Sequence, residues 1–123
     1  MIQKTTSRDT PPYTTRDGSV IRELMHPRVH GNRNQSLALS TVSAGGETLL
    51  HRHLKSEEIY HVIRGSGLAT VGDDTVSVAP GDTVLIPPGA AHRVRNTGDT
   101  PLEFFCACSP PYSHDDTEMI PAD

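Results

Sequence analysis

Short runs of alternating apolar and polar residues, broken by glycine and proline every 8–12 residues or so, dominate this chain. Successive side chains of a strand point to opposite faces, so a period of two marks strands with one packed side. The pattern predicts strands over residues 20–25, 35–42, 48–53, 58–64, 68–71, 75–78, 83–86, 91–95 and 102–108. Turn residues separate them, among them Asp17-Gly18, Gly45-Gly46, Gly65-Ser66-Gly67 and Pro87-Pro88-Gly89. No segment longer than about ten residues holds a helical period. Many short strands with frequent turns predict an all-β fold, best met by a double-sheet jelly-roll barrel.

The ends differ from this middle. Residues 1–16 are polar and threonine-rich and contain Pro11-Pro12. They are expected to form a flexible arm, with nothing of its own to pack against, that covers a partner's sheet edge. The barrel is then expected over 17–111, followed by a tail over 112–123. In that tail Ser113 is placed to cap a one-turn helix, with Asp115 and Asp116 in its first turn, and the tail can cover one mouth of the barrel.

Alternation also nominates an interior. Leu102, Phe104, Cys106 and Cys108 form the more apolar side of the last strand and are expected to face inward. Leu37 and Leu39 are expected to pack inward from 35–42, with Gln35 at a pocket. Leu49 shares a face with His51 and His53, Tyr60 with Glu58, and Val94 and Asn96 with His92. Cys106 and Cys108 lie too close along one strand to bridge each other and lack zinc-site spacing, so they read as small buried hydrophobes.

Bulk properties narrow the function. The 123 residues suffice for one domain and one core. A net charge of −4 offers no electrostatic grip on nucleic acid. No run of 18 apolar residues suggests a membrane span, and residues 1–6 lack a hydrophobic signal core, so a cytoplasmic protein is expected.

The chemistry concentrates in His51-Arg52-His53-Leu54-Lys55-Ser56-Glu57-Glu58. His51 and His53 share a strand face, and Glu58 heads a strand expected to return alongside theirs. Glu57 is its nearest competitor, but strand alternation groups Glu58 with Tyr60 and Val62. His92, after Pro87-Pro88-Gly89-Ala90-Ala91, supplies a fourth group. Three imidazoles and one carboxylate suit a borderline divalent metal. His26, His30 and His114 read as ordinary strand or surface histidines, and His61 as structural.

These residues resemble the two motifs of the cupin family. The first is a glycine, five residues, HxH, a short gap, glutamate, six residues and glycine; here it reads Gly45, His51, His53, Glu58, Gly65. The second reads Gly81, Pro87, Gly89, His92, Asn96. The resemblance implies a jelly roll holding one divalent transition metal per chain (Fe, Mn, Ni, Co or Zn) on His51, His53, Glu58 and His92. It also implies a homodimer and a small-molecule substrate. The expected pocket is largely apolar, with Tyr60 as its catalytic residue. The expected activity is that of a metal-dependent enzyme on a small chelating organic molecule. A dioxygenase comes first, then a non-redox isomerase, lyase or cyclase, then a non-catalytic ligand-binding or sensing domain.

Overall fold

The computed structural model describes residues 2–121 as eleven strands in two antiparallel sheets. The strands are β1 (Tyr13–Thr14), β2 (Val20–Met25), β3 (Ser36–Val42), β4 (His51–His53), β5 (Glu57–Arg64), β6 (Gly67–Val71), β7 (Asp74–Val78), β8 (Thr83–Ile86), β9 (His92–Asn96), β10 (Leu102–Ser109) and β11 (Thr117–Met119). One sheet runs β1-β2-β3-β10-β5-β8 and the other β11-β4-β9-β6-β7. Among the described residues the ladders form two sheets of jelly-roll type, and the expected barrel is not a hydrogen-bonded ring. Among the described residues no helix is long and apolar enough to cross a membrane.

Inward residues of both sheets meet in a core of Val42, Tyr60, Val62, Ala69, Val78, Ile86, Val94, Leu102 and Phe104. Gly65 is required where β5 turns into β6. Its φ is +81°, and a Cβ there would lie 2.5 Å from the Pro101 carbonyl oxygen. Asn96 closes this end, donating from Nδ2 to the carbonyls of Val42 (2.9 Å) and Thr100 (2.8 Å) and accepting from Gly98 N at Oδ1 (2.9 Å).

Three expectations change. The face of β3 that points inward is Ser36, Ala38 and Ser40, while Leu37 and Gln35 are exposed. Register explains the inversion: Ser36 pairs with Cys108 and Ser40 with Phe104, both inward-facing, and neighbours in register share a face. Leu37, Ala107, Ile59 and Leu85 then form one cross-strand row on the outer face.

The N-terminal segment also finds contacts within its own chain. Thr5 Oγ1 donates to Leu24 O (2.7 Å), Arg22 Nη1 to Ser7 O (3.2 Å), and β1 adds an edge strand to β2. Having nothing of its own to pack against therefore does not hold as a reason to seek a partner. In the tail, Ser113 Oγ accepts from Asp115 N at 3.2 Å to cap a 3-10 turn at His114–Asp116, as expected. β11, which the pattern does not predict, pairs with β4.

Candidate metal centre

His51 and His53 occupy inward positions of β4, and His51 pairs directly with His92 of β9. Glu58 does not lie on a strand alongside β4, as expected, but on β5 of the opposite sheet, reaching across the interior. A ligand atom of each of the four residues lies within 4.8 Å of the others, and all four residues are buried. Imidazole centroids are 4.2 Å apart for His51–His92 and 5.3 Å for the other two pairs. Among the described residues this cluster forms a single metal-binding site. His26, His30, His61 and His114 lie outside it, as expected. His61 bonds Thr83 Oγ1 on the outer face (2.8 Å), and His26 bonds the Tyr112 carbonyl (2.8 Å).

Backbone contacts set the imidazole tautomers. His51 Nδ1 lies 2.7 Å from Leu49 O and His92 Nδ1 2.9 Å from Ala90 O. A carbonyl only accepts, so both Nδ1 atoms carry the proton. His53 Nδ1 lies 3.0 Å from Thr117 Oγ1, whose own proton goes to Ser113 O at 2.8 Å. That hydroxyl therefore accepts, and His53 Nδ1 also carries its proton. Every neutral Nε2 then presents a lone pair inward, toward the Glu58 carboxylate. Glu58 Oε1 is 3.2 Å from both His53 Nε2 and His92 Nε2.

Glu58 Oε1 and His92 Nε2 are buried without a hydrogen-bond partner. Four convergent acceptors, two of them orphaned, fit a cation and little else. Burial acts to raise the Glu58 carboxyl, but the His53 and His92 imidazoles beside it outweigh burial and hold it well below the usual carboxylate range. Burial pushes the His51 imidazole down.

Chain segments distant in sequence hold these groups. Gly89 donates its N–H to His53 O (2.7 Å) from a left-handed conformation, φ +82°, after Pro87-Pro88. Asp116 caps the β4–β5 connection, accepting from Lys55 N (2.9 Å) and Ser56 N (3.1 Å). Cys108 Sγ donates to Glu58 Oε2 at 3.1 Å. Burial pushes both Cys106 and Cys108 thiols up, so they remain thiols. Cys108 is buried as expected and also orients Glu58, whereas Cys106 is half-buried.

The adjoining cavity holds about 40 Å³ of space open to water, room for roughly three molecules. Tyr60, Cys106, Cys108 and Phe104 line it as alternation predicts, whereas Leu49 is exposed. Tyr60 is buried with its ring 4.7 Å from Phe104 and 6.0 Å from His92. Burial and then the Glu58 charge push its phenol well up.

Sequence reading misses Asp17, Glu23 and Tyr112, which also line the cavity. Asp17 Oδ2 is 3.4 Å from His51 Nε2. Tyr112 stands edge-on to His53 at 5.8 Å, and burial pushes its phenol up to about 12. The polar residues Thr15, Asp17 and Ser19, at period two before β2, are the signal that could have revealed this rim.

Comparison with known proteins agrees with this geometry. The chain is 47% identical over 119 residues to the protein MJ1618 of Methanocaldococcus jannaschii, covering 97% of this chain and 95% of that protein. It superposes on the polyketide cyclase RemF of Streptomyces resistomycificus with a TM-score of 0.83 and 21% identity, covering 100% and 88% of the two chains. With the oxalate decarboxylase of Lactobacillus farciminis, solved as a formate complex, the TM-score is 0.78 and the identity 25%. That match covers 92% of this chain but only 34% of the decarboxylase. The Cupin domain family matches residues 38–108, which carry all four clustered side chains, and the chain belongs to that family.

Proposed function

We propose that this chain is a metal-dependent enzyme acting on a small organic molecule through an oxygen atom held at the metal. The observation that carries this reading is the convergence of three Nε2 lone pairs on a buried carboxylate whose Oε1 has no donor. His51, His53, Glu58 and His92 would hold the ion. A divalent ion there supplies Lewis acidity to an oxygen of the substrate.

The chain's own groups suit proton transfer. Asp17 Oδ2 is an acceptor beside His51, and the Tyr60 phenol, kept protonated by burial, is a donor on the same cavity. A proton leaving a substrate O–H or C–H would pass to Asp17 Oδ2, and Tyr60 would steady the charge left on the substrate. These groups favour isomerase, lyase or cyclase chemistry over the dioxygenase placed first from sequence. Oxygen-dependent oxidation rests on the ligand set alone.

Metal analysis of protein purified without tag or chelator tests the centre. About one divalent transition metal per chain is expected, lost in Glu58→Ala with the β fold retained. Full occupancy in that variant would sink the ligand assignment, and iron at that stoichiometry would return weight to oxidation.

The expected homodimer gains support from the outer face of the six-stranded sheet. Ile59 is 40% exposed and Leu85 57% exposed in the apolar row with Leu37 and Ala107. Light scattering should give twice the 13.3 kDa chain mass, falling to one chain in Ile59→Asp. A monomeric native protein would remove the dimer from this reading.

A further inference from the structure

We propose that Asp17 sets the specificity of the metal centre: its carboxylate rejects anionic chelators and admits ligands that bring it an O–H. The inference rests on the metal-centre reading above and adds the class of ligand.

Asp17 is fixed in place. Its Oδ1 accepts from Ser19 N (2.9 Å), Ser19 Oγ (2.7 Å) and Thr15 Oγ1, and its carbonyl accepts from Leu49 N at 2.7 Å. The Leu49 carbonyl in turn accepts from His51 Nδ1. One short segment thus fixes both the first ligand and the carboxylate beside it. The side chain is only 14% exposed, so bulk water screens it weakly.

The other carboxylate oxygen, Oδ2, faces His51 Nε2 at 3.4 Å. With the His51 proton on Nδ1, that contact sets one lone pair against another. Only a cation or a hydrogen-bond donor relieves it. The ion answers Nε2, and a donor on the ion's ligand answers Oδ2. Among the described residues Oδ2 has no hydrogen-bond donor of the chain's own.

The rest of the cavity has the same sign. Glu23 adds a third carboxylate, and among the described residues no lysine or arginine lines it. A dianion such as oxalate would meet Glu58, Asp17 and Glu23 with no guanidinium or ammonium to offset them. A neutral vicinal diol would coordinate through one oxygen and donate its other O–H to Asp17.

The test uses the full chain, native and Asp17→Asn, each loaded with Mn(II). Bound manganese is counted first. Oxalate and catechol are then titrated without oxygen by calorimetry, with the Mn(II) paramagnetic resonance line shape as a second readout. Asn is isosteric and keeps an acceptor for Ser19; Asp17→Ser is the second variant, should the amide disturb the turn. Both variants should retain manganese, bind oxalate at least tenfold more tightly than the native chain, and bind catechol more weakly. Oxalate affinity within twofold of native in metal-loaded variants would overturn the role of Asp17 and leave the metal centre standing. A native chain that takes up no manganese, zinc or iron would overturn both.

Discussion

Three strands run the length of the interior and change character along the way. β5 carries Glu58 and Tyr60 and then Val62; β9 carries His92 and then Val94 and Asn96; β10 starts at Leu102 and Phe104 and ends at Cys106 and Cys108. Both ends bury polar groups, and they differ in how completely those groups are satisfied. At the packed end, the Asn96 amide uses both of its ends on backbone partners. At the histidine end, equally buried atoms of Glu58 and His92 have no partner at all. A buried acceptor without a donor costs about 1–3 kcal/mol. The packed end is complete as a protein, whereas the histidine end is completed only by something added to it.

If the two ends are energetically separate, each can be damaged alone. Leu102 is fully buried at the packed end. Leu102→Ala should lower stability by about 2–5 kcal/mol through lost transfer energy and the cavity left behind. Urea unfolding of metal-free protein measures this. Metal affinity of the folded variant should stay within about twofold of native, since Leu102 starts β10 while Cys108, which bonds Glu58, lies near its other end. A parallel fall in metal affinity would mean that the two ends act as one cooperative unit and would break the comparison.

The two ends were also unequally legible from sequence. The strands of the packed end follow from alternation, because Val62, Val94, Leu102 and Phe104 stand at period two between clear turns. The four clustered residues were legible because two motifs with fixed spacing carry them. What surrounds them was not. Asp17 reads as half of an Asp-Gly turn, and only the fold brings that turn against His51. Leu37 and Leu39 read as the inward face of β3, yet register with β10 turns Ser36 and Ser40 inward instead. Thr117 lies 64 residues from His53, in a polar tail with no strand pattern. Local pattern reports which side of a strand is apolar; it does not report which distant hydroxyl finishes an imidazole.

That hydroxyl offers the finer test, because it acts on the histidine end without touching the ion. Thr117 Oγ1 accepts from His53 Nδ1 and passes its own proton to Ser113 O, and so holds the His53 lone pair at Nε2. Thr117→Val keeps the volume and removes the acceptor. His53 is then free to move its proton to Nε2, where it would bond Glu58 and compete with the metal. Metal affinity should fall about 10–100-fold, measured by competition with a chromophoric chelator. Thr117→Ser should restore it. Stability of the metal-free variant should fall by only about 1 kcal/mol, the scale of one net hydrogen bond. Native affinity in Thr117→Val would show that β11 merely packs on β4. A loss that serine rescues would show that the tail sets the proton on a ligand, and that the histidine end is built from both halves of the chain.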